Sequence, residues 1–558
     1  MKKFSAILTA VAFALVLTLT FGSGFVTAEE AAEDYTGKTV ILHSNDVHGK
    51  IDGYAYMTAL KKDYEAKGAE VILADAGDFS QGTIYVSTSK GQKAIEMMNA
   101  AGYDIVTLGN HEFDFGYAQL MENLKDAQFK TICANVIVDA TGESILPATA
   151  IIEKGGVKIG FFGMETPETA TKVNPGLITE IHFTTFSDLY TCAQAAVDSL
   201  KAEGADLVIG LVHLGVDVES AANGYRSIDL YEKVTGIDFM IDGHSHTVMT
   251  AGEGGEPIQS TGTAFENIGV VVIDNASKKI VENKLIATEG LAKDEAVEAK
   301  AQEIIAAIDA EYGAVFASVD YRVNGDRAPG NRTEDTNLGD LITDALVWSV
   351  VNNGGVTPEQ LPNVVAITNG GGIRASIEAG GISRKDVNTV LPFGNTVAVI
   401  YVKGSELLEA LEASTFCTPT AIGGFPQTSG IKWTVDTTQE YAQGAIYTDA
   451  SGKESSYYGP AEIKRVTIES VNGNAFDPEA TYVVITNNFC AAGGDTYNVF
   501  MRAYNDQENP GFDTGIPMDE AVMDYIYNEL NAVVDERYTE PRGDLTRIIA
   551  EPAEVPAA

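Results

Sequence analysis

Cysteine is nearly missing from this chain: Cys133, Cys192, Cys417 and Cys490 are scattered through 558 residues with no C-x-x-C pair. That scarcity excludes a disulfide framework and a zinc knuckle as the source of stability. Two bridges remain open on spacing, Cys133 with Cys192 and Cys417 with Cys490, beside four buried free thiols. Basic charge is short as well, with 37 Lys and Arg against 79 Asp and Glu, a formal net charge of −42. Such a surface repels a nucleic-acid duplex and anionic lipid, so neither is an expected long-range partner. The repulsion fades over roughly 8 Å at physiological salt, so a locally positive pocket can still hold a small anion. Long apolar runs are absent beyond the first residues. The one such run, residues 4–21, follows Lys2 and Lys3 and precedes Val26-Thr27-Ala28. A basic start, an apolar stretch and a small-residue cleavage pattern read as an export signal, residues 1–28, in preference to an uncleaved anchor. The expected product is exported, whether extracellular, periplasmic or held in the cell envelope, with no membrane insertion after cleavage.

Histidine is rare too, at seven positions, and five of the seven fall in one recurring context. Short apolar runs bounded by turn residues read as buried strands, and five of them end in a metal-ligand residue type. Val40-Ile41-Leu42 leads to Asp46 and His48, and Val71-Ile72-Leu73 leads to Asp78. Ile105-Val106-Thr107-Leu108 leads to Asn110 and His111, Leu207-Val208-Ile209 to His213, and Phe239-Met240-Ile241 to His244 and His246. Sites in layered α/β folds lie at strand ends, so these five ends can converge. Carboxylate, imidazole and amide oxygen suit borderline divalent metals. Seven donors, Asp46, His48, Asp78, Asn110, His213, His244 and His246, are enough for two ions, with Asp78 in its Gly-bounded turn as the bridging carboxylate. Two metals roughly 3.5–4 Å apart can activate a water and clamp an in-line phosphoryl displacement. His111 should face the attacked phosphorus, and Asp114, three residues on, can hold its ring. His43, inside the first strand, reads as a core residue or a support behind the ligands, His182 as an ordinary one, and Asp75 as a structural hydrogen-bond partner.

Strand runs alternate with amphipathic helices at 57–67, 93–101, 117–127 and 189–202, which predicts a layered α/β domain. A helix period from Glu295 to Tyr312, with Val297, Ile304, Ile305 and Ile308 on one face, marks a connector to a second domain. That domain has strand candidates at 364–368, 397–402, 466–469 and 482–486. Its last helix is expected to begin near Asp519, with the acid as N-cap.

In their order, Asp-x-His, Gly-Asp, Gly-Asn-His-Glu, the strand-end His and Gly-His-x-His resemble the calcineurin-like metallophosphoesterase superfamily. The second half resembles the C-terminal domain of the secreted 5'-nucleotidase family, which includes bacterial UDP-sugar hydrolases. The motifs that carry this are Asn337-Leu338-Gly339-Asp340-Leu341, Asn369-Gly370-Gly371-Gly372-Ile373-Arg374, Val390-Leu391-Pro392-Phe393-Gly394 and the segment from Asn488 to Asp495. The resemblance implies a four-layer αββα sandwich over 36–290, a linker helix within 291–318 and a second α/β (α+β) substrate-binding domain over 319–549. Residues 550–558 form an expected disordered tail.

Carried over by position, Asp46, His48, Asp78 and His246 resemble one metal site, and Asp78, Asn110, His213 and His244 the other. His111 and Asp114 match the catalytic dyad. Arg332, Asn369 and Arg374 match substrate anchors, Phe393 and Phe489 an aromatic clamp on the base, and Asp495 an acceptor for a ribose hydroxyl. His246 departs from several 5'-nucleotidases, which carry Gln or Asn there. Manganese, zinc, iron and cobalt all suit the donors. The implied activity is release of phosphate from nucleoside 5'-monophosphates, with UDP-sugars and nucleoside di- and triphosphates as further substrates. A 2',3'-cyclic-nucleotide 2'-phosphodiesterase/3'-nucleotidase is the alternative, and a non-catalytic surface nucleotide-binding module a remoter one.

Overall fold

A computed structural model describes residues 33–173, 177–221, 223–448, 454–506 and 508–548. The expected export signal and the expected tail lie outside the described residues. The first domain is built on two six-stranded sheets. One runs Lys279–Ala287, Asn267–Asp274, Lys38–Ser44, Glu70–Asp75, Ile105–Val106, Lys130–Thr131. The other runs Val248–Met249, Ile258–Thr261, Phe239–Ile241, Leu207–His213, Val157–Glu165, Thr149–Lys154.

Successive strand residues point to opposite faces, so one run of apolar residues can serve two layers. Ile41 and Ile72 meet Phe161, Ile209 and Ile241 between the sheets. Their neighbours Val40, Leu42, Val71 and Leu73 pack outward with Ala55, Met57 and Met98 of the helices Tyr54–Ala66 and Gln92–Ala101. On the far side, Leu189, Val197 and Leu200 of the helix Phe186–Ala202 cover Phe162, Val208 and Met240. The result is a four-layer αββα sandwich. Strands Lys38–Ser44, Glu70–Asp75 and Ile105–Val106 pair in parallel, as do Val157–Glu165, Leu207–His213 and Phe239–Ile241. Parallel pairing brings the carboxyl ends of each group to one edge.

The helix Glu295–Tyr312 is capped by Asp294, whose side chain accepts from the backbone N–H of Ala296 and Val297. It leads to the second domain, but Val297, Ala301 and Ile304 are buried in the first domain's core. The second domain is α+β. Its main sheet runs Pro426–Ser429, Val364–Asn369, Thr481–Asn487, Thr396–Lys403, Phe512–Pro517. The helix Asn337–Asn352 packs on one face, and Gly404–Ser414 and Asn498–Tyr504 on the other. One helix start differs from expectation: Met518–Asp524 has Pro517 at its N-cap, and Asp519 lies in the first turn. There its carboxylate still meets the positive end of the helix dipole. All four cysteines are free thiols. Among the described residues no helix is long and apolar enough to cross a membrane.

Candidate functional site

The loops that follow the parallel strands carry an unusual backbone. Asp46, His48, Asp78, His244 and His246 all have φ between 44° and 75°, in the left-handed region that L side chains avoid at a cost of roughly 1–3 kcal/mol each. Hydrogen bonds between the loops hold them there. The Asp46 N–H donates to Gly77 O at 2.9 Å and the His48 N–H to Asp78 O at 3.0 Å. The His244 N–H donates to the Asp46 carboxylate at 3.0 and 3.1 Å. A Cβ on Gly109 would lie 2.3 Å from Asp78 Oδ1 and 2.8 Å from His213 Cε1. The loops close this tightly only because that position has no side chain.

Two residues that sequence reasoning left without a role pin these loops. Glu112, buried, accepts from the backbone N–H groups of Asp78, Phe79, Ser80 and Gly109 at 2.7–2.9 Å. Asp242 accepts from Leu214, Gly215 and Gly243 at 2.9–3.0 Å. Glu112 ends the Gly-Asn-His-Glu motif and Asp242 directly precedes Gly-His-x-His, but nothing in a motif says which acid accepts from the backbone of the loops.

The structure brings the seven expected donors together. Asp46 is 0% and Asp78 1% exposed. His213 Nδ1 lies 2.6 Å from Ala76 O. A carbonyl only accepts, so Nδ1 carries the hydrogen and Nε2 points inward, 3.1 Å from Asp78 Oδ2. That buried Nε2 has no hydrogen-bond partner. His48 Nε2 and His246 Nε2 face each other at 2.9 Å, and Asn110 Oδ1 faces His244 Nδ1 at the same distance. Burial opposes a charged His213, yet Asp78 and Asp46 hold its pKa well above the usual histidine value. Burial depresses His48 and His246 well below it. The buried carboxylates of Asp46 and Asp78 thus draw positive charge onto His213 and mark a place that favours a cation. Ligand atoms of Asp46, Asp78 and His213, and of Asp46, His48 and His246, lie within 4.8 Å of one another. Carboxylate and imidazole donors at this spacing fit a divalent metal site.

His111 stands beside this cluster. Its N–H donates to Asp78 Oδ1 at 2.9 Å, and Nδ1 donates to Asp114 Oδ2 at 2.7 Å. Burial works against protonation, but Asp114 and Asp78 raise the ring's pKa above the ordinary value.

The second domain forms the opposite wall. One cavity is lined by Asp78, Asn110 and His111 on one side and by Arg327, Arg332 and Arg374 on the other. Phe393 reaches the dyad, its ring 5.6 Å from that of His111 at an interplanar angle of 28°. The Arg374 guanidinium lies over the Phe393 ring at 5.5 Å. An adjoining cavity is lined by Phe393, Phe489, Asn488, Leu177 and Asp114, so the two phenylalanines flank one space. Asp495 lines the first cavity. Asn369 Nδ2 donates to Asp495 Oδ2 at 2.9 Å, so it adjoins the first cavity through Asp495. Gly370 explains the start of that motif, since a Cβ there would lie 1.9 Å from Asn331 O.

Two cations were not anticipated. Arg327 brings Nη1 within 3.3 Å of His246 Nδ1 and Nη2 within 3.7 Å of Asp217. Lys172, from the first domain, lies 3.8 Å from Asp495 Oδ1 and over the Tyr457 ring at 5.7 Å. Both act across the domain boundary, and no local spacing announces that. His43 and Asp75 behave as the strand pattern predicts. His43 Nε2 meets Gln259 Oε1 at 2.8 Å, and Asp75 accepts from Ser44 Oγ and the Gly77 N–H.

Comparison with known proteins agrees with both halves of this arrangement. Residues 39–248 match the calcineurin-like phosphoesterase family, and residues 314–502 match the 5'-nucleotidase C-terminal domain. The trifunctional nucleotide phosphoesterase protein YfkN of Bacillus subtilis is 29% identical over 521 residues, 84% of this chain. The chain spans only 33% of that relative's length. The 5'-nucleotidase of Vibrio cholerae is 27% identical over 606 aligned residues, 97% of this chain and 99% of that protein. The crystal structure of the 5'-nucleotidase precursor from Thermus thermophilus superposes with a TM-score of 0.75 at 28% identity, covering 92% of this chain and 100% of that one. The chain belongs to the metal-dependent phosphoester hydrolases that join a calcineurin-like phosphoesterase domain to a 5'-nucleotidase C-terminal domain.

Proposed function

We propose that the protein is an exported 5'-nucleotidase that holds two divalent ions and releases phosphate from nucleoside 5'-monophosphates. The observation that carries this is the cavity with an acid-imidazole cluster on one wall and three guanidiniums on the other, in a chain of net charge −42. A phosphate is the ligand that needs both walls. The names of two relatives, a 5'-nucleotidase and a nucleotide phosphoesterase, support a nucleotide as the ester.

Asp46, His48, Asp78 and His246 would hold one ion, and Asp78, Asn110, His213 and His244 the other. When bound, such ions make a water nucleophilic near neutral pH and neutralise charge on the transferring phosphoryl group. The chain's own groups do the rest. Arg327, Arg332 and Arg374 orient the phosphate, with the planar fork of guanidinium suited to its oxygens. His111, its ring fixed by Asp114, presents Nε2–H to the oxygens of the phosphoryl group as charge develops there. Phe393 and Phe489 take the base between them, worth roughly 1–3 kcal/mol of stacking with little dependence on which base it is. Asp495, steadied by Asn369, accepts from a ribose hydroxyl. Substrate enclosed between two domains must be released, so turnover requires the domains to separate.

The test is phosphate release by the chain from Glu29 onward, with 5'-AMP, 3'-AMP, 2',3'-cyclic AMP and UDP-glucose, in manganese and in chelator. His111→Ala is the blank. Chelator-sensitive release chiefly from 5'-AMP supports the proposal, and preference for the cyclic and 3' esters replaces it with the phosphodiesterase/3'-nucleotidase. Export is checked separately, by sequencing the N-terminus of protein recovered outside the cytoplasm; a start at Glu29 is expected.

A further inference from the structure

We infer that Glu168 is a positioning residue for the metal centre, holding His244 so that Nδ1 faces the ion. The inference rests on the metal-binding proposal. Glu168 is 2% exposed and sits between the strand Val157–Glu165 and the short helix Thr169–Lys172. No motif includes it. Its Oε2 lies 3.2 Å from His244 Nε2, while His244 Nδ1 lies 2.9 Å from Asn110 Oδ1.

The proton on His244 follows from its neighbours. A carboxylate can only accept, so Nε2 carries a hydrogen, and in the neutral ring that a metal ligand requires Nδ1 is left as a lone pair. That lone pair then faces the Asn110 carbonyl oxygen, another lone-pair bearer. Two such atoms 2.9 Å apart repel unless a cation touches both, and both belong to the same proposed ion. Glu168 thus selects the tautomer in which His244 is a donor to metal, and its charge strengthens that donor. The other rings use different partners: the backbone carbonyl of Ala76 serves His213, and Asp114 serves His111. Loss of Glu168 should therefore weaken one ion and spare the other.

The experiment is manganese binding to the full chain after chelator stripping, by titration calorimetry and electron paramagnetic resonance, for wild type, Glu168→Gln and Glu168→Ala. Wild type should bind two ions with a spin-coupled signal. In Glu168→Ala one ion should bind as in wild type and the other roughly 10–100-fold more weakly, leaving an uncoupled six-line signal at limiting metal. Glu168→Gln, whose amide oxygen still accepts from Nε2–H, should fall between, and thermal melting without metal should leave both variants near wild type. Two ions bound with wild-type constants in both variants would overturn the proposal, as would equal weakening of both ions. Wild type that binds no manganese would overturn the metal-centre proposal itself, and this one with it.

Discussion

The rings of His111 and Phe393 stack across the domain boundary at 5.6 Å, one from the loop after a strand of the first domain and the other from the second. The group proposed to act on phosphorus and the group proposed to hold the base are thus in contact.

Separating their contributions gives the first prediction. Phe393→Ala should raise KM for 5'-AMP by roughly 5- to 100-fold, the loss of one stacking face. Hydrolysis of an aryl phosphate, which has no base to stack, should change much less. If both substrates suffer equally, Phe393 acts through His111 and not through the base.

The dyad makes a different prediction. His111→Ala should lower kcat by roughly 10²–10⁴-fold with metal content unchanged. Asp114→Asn, which leaves the ring in place but weakens the Nδ1 contact, should lower kcat by roughly 10–100-fold. Metal analysis of the purified variants checks the premise, and loss of metal in either would redirect the interpretation.

Glu112 bears on stability as well as on the site. Removing its carboxylate strands the four backbone N–H groups it satisfies, and each buried unpaired donor costs about 1–3 kcal/mol before water relieves it. Glu112→Ala should lower the denaturation midpoint markedly and loosen the Asp78 loop. A variant as stable as wild type would mean water fills the gap fully.

His43 predicts a pH dependence. Burial, partly opposed by the Gln259 hydrogen bond, lowers its pKa to about 4 from the usual 6.5. Between those values the unfolded chain binds a proton that the folded chain refuses, so stability falls as pH drops from 6.5 towards 4. The contribution of this one group is about 2 kcal/mol between roughly pH 7.5 and 5. Urea denaturation in chelator should show a smaller pH effect in His43→Gln by that amount; an unchanged slope would mean that other groups set the acid sensitivity.

Much of this was legible along the chain, and the reasons are physical. The strands with ligand-bearing ends were readable because short apolar runs and the turn residues that bound them are local signals, as Val40 to His48 illustrates. The connector helix was readable from its period, but its packing on the first domain depends on partners distant in sequence. Arg327, Lys172 and Glu168 were not legible, because each acquires its place from a contact with another loop or domain. Asn369 was legible from its motif but its hydrogen bond to Asp495 was not, since a motif conveys proximity to a site without naming each side chain's partner.

Among the described residues fourteen that are not glycine have a left-handed backbone, and six of them are Asp46, His48, Asp78, His244, His246 and Asp495. Side-chain chemistry was not needed to find that concentration. Torsions alone, once the glycines are set aside, would already point to this cavity and the cluster beside it. The conformations that chains usually avoid serve here as a signpost, and searching other folds for acids and imidazoles in such turns offers a way to locate centres before any ligand is seen.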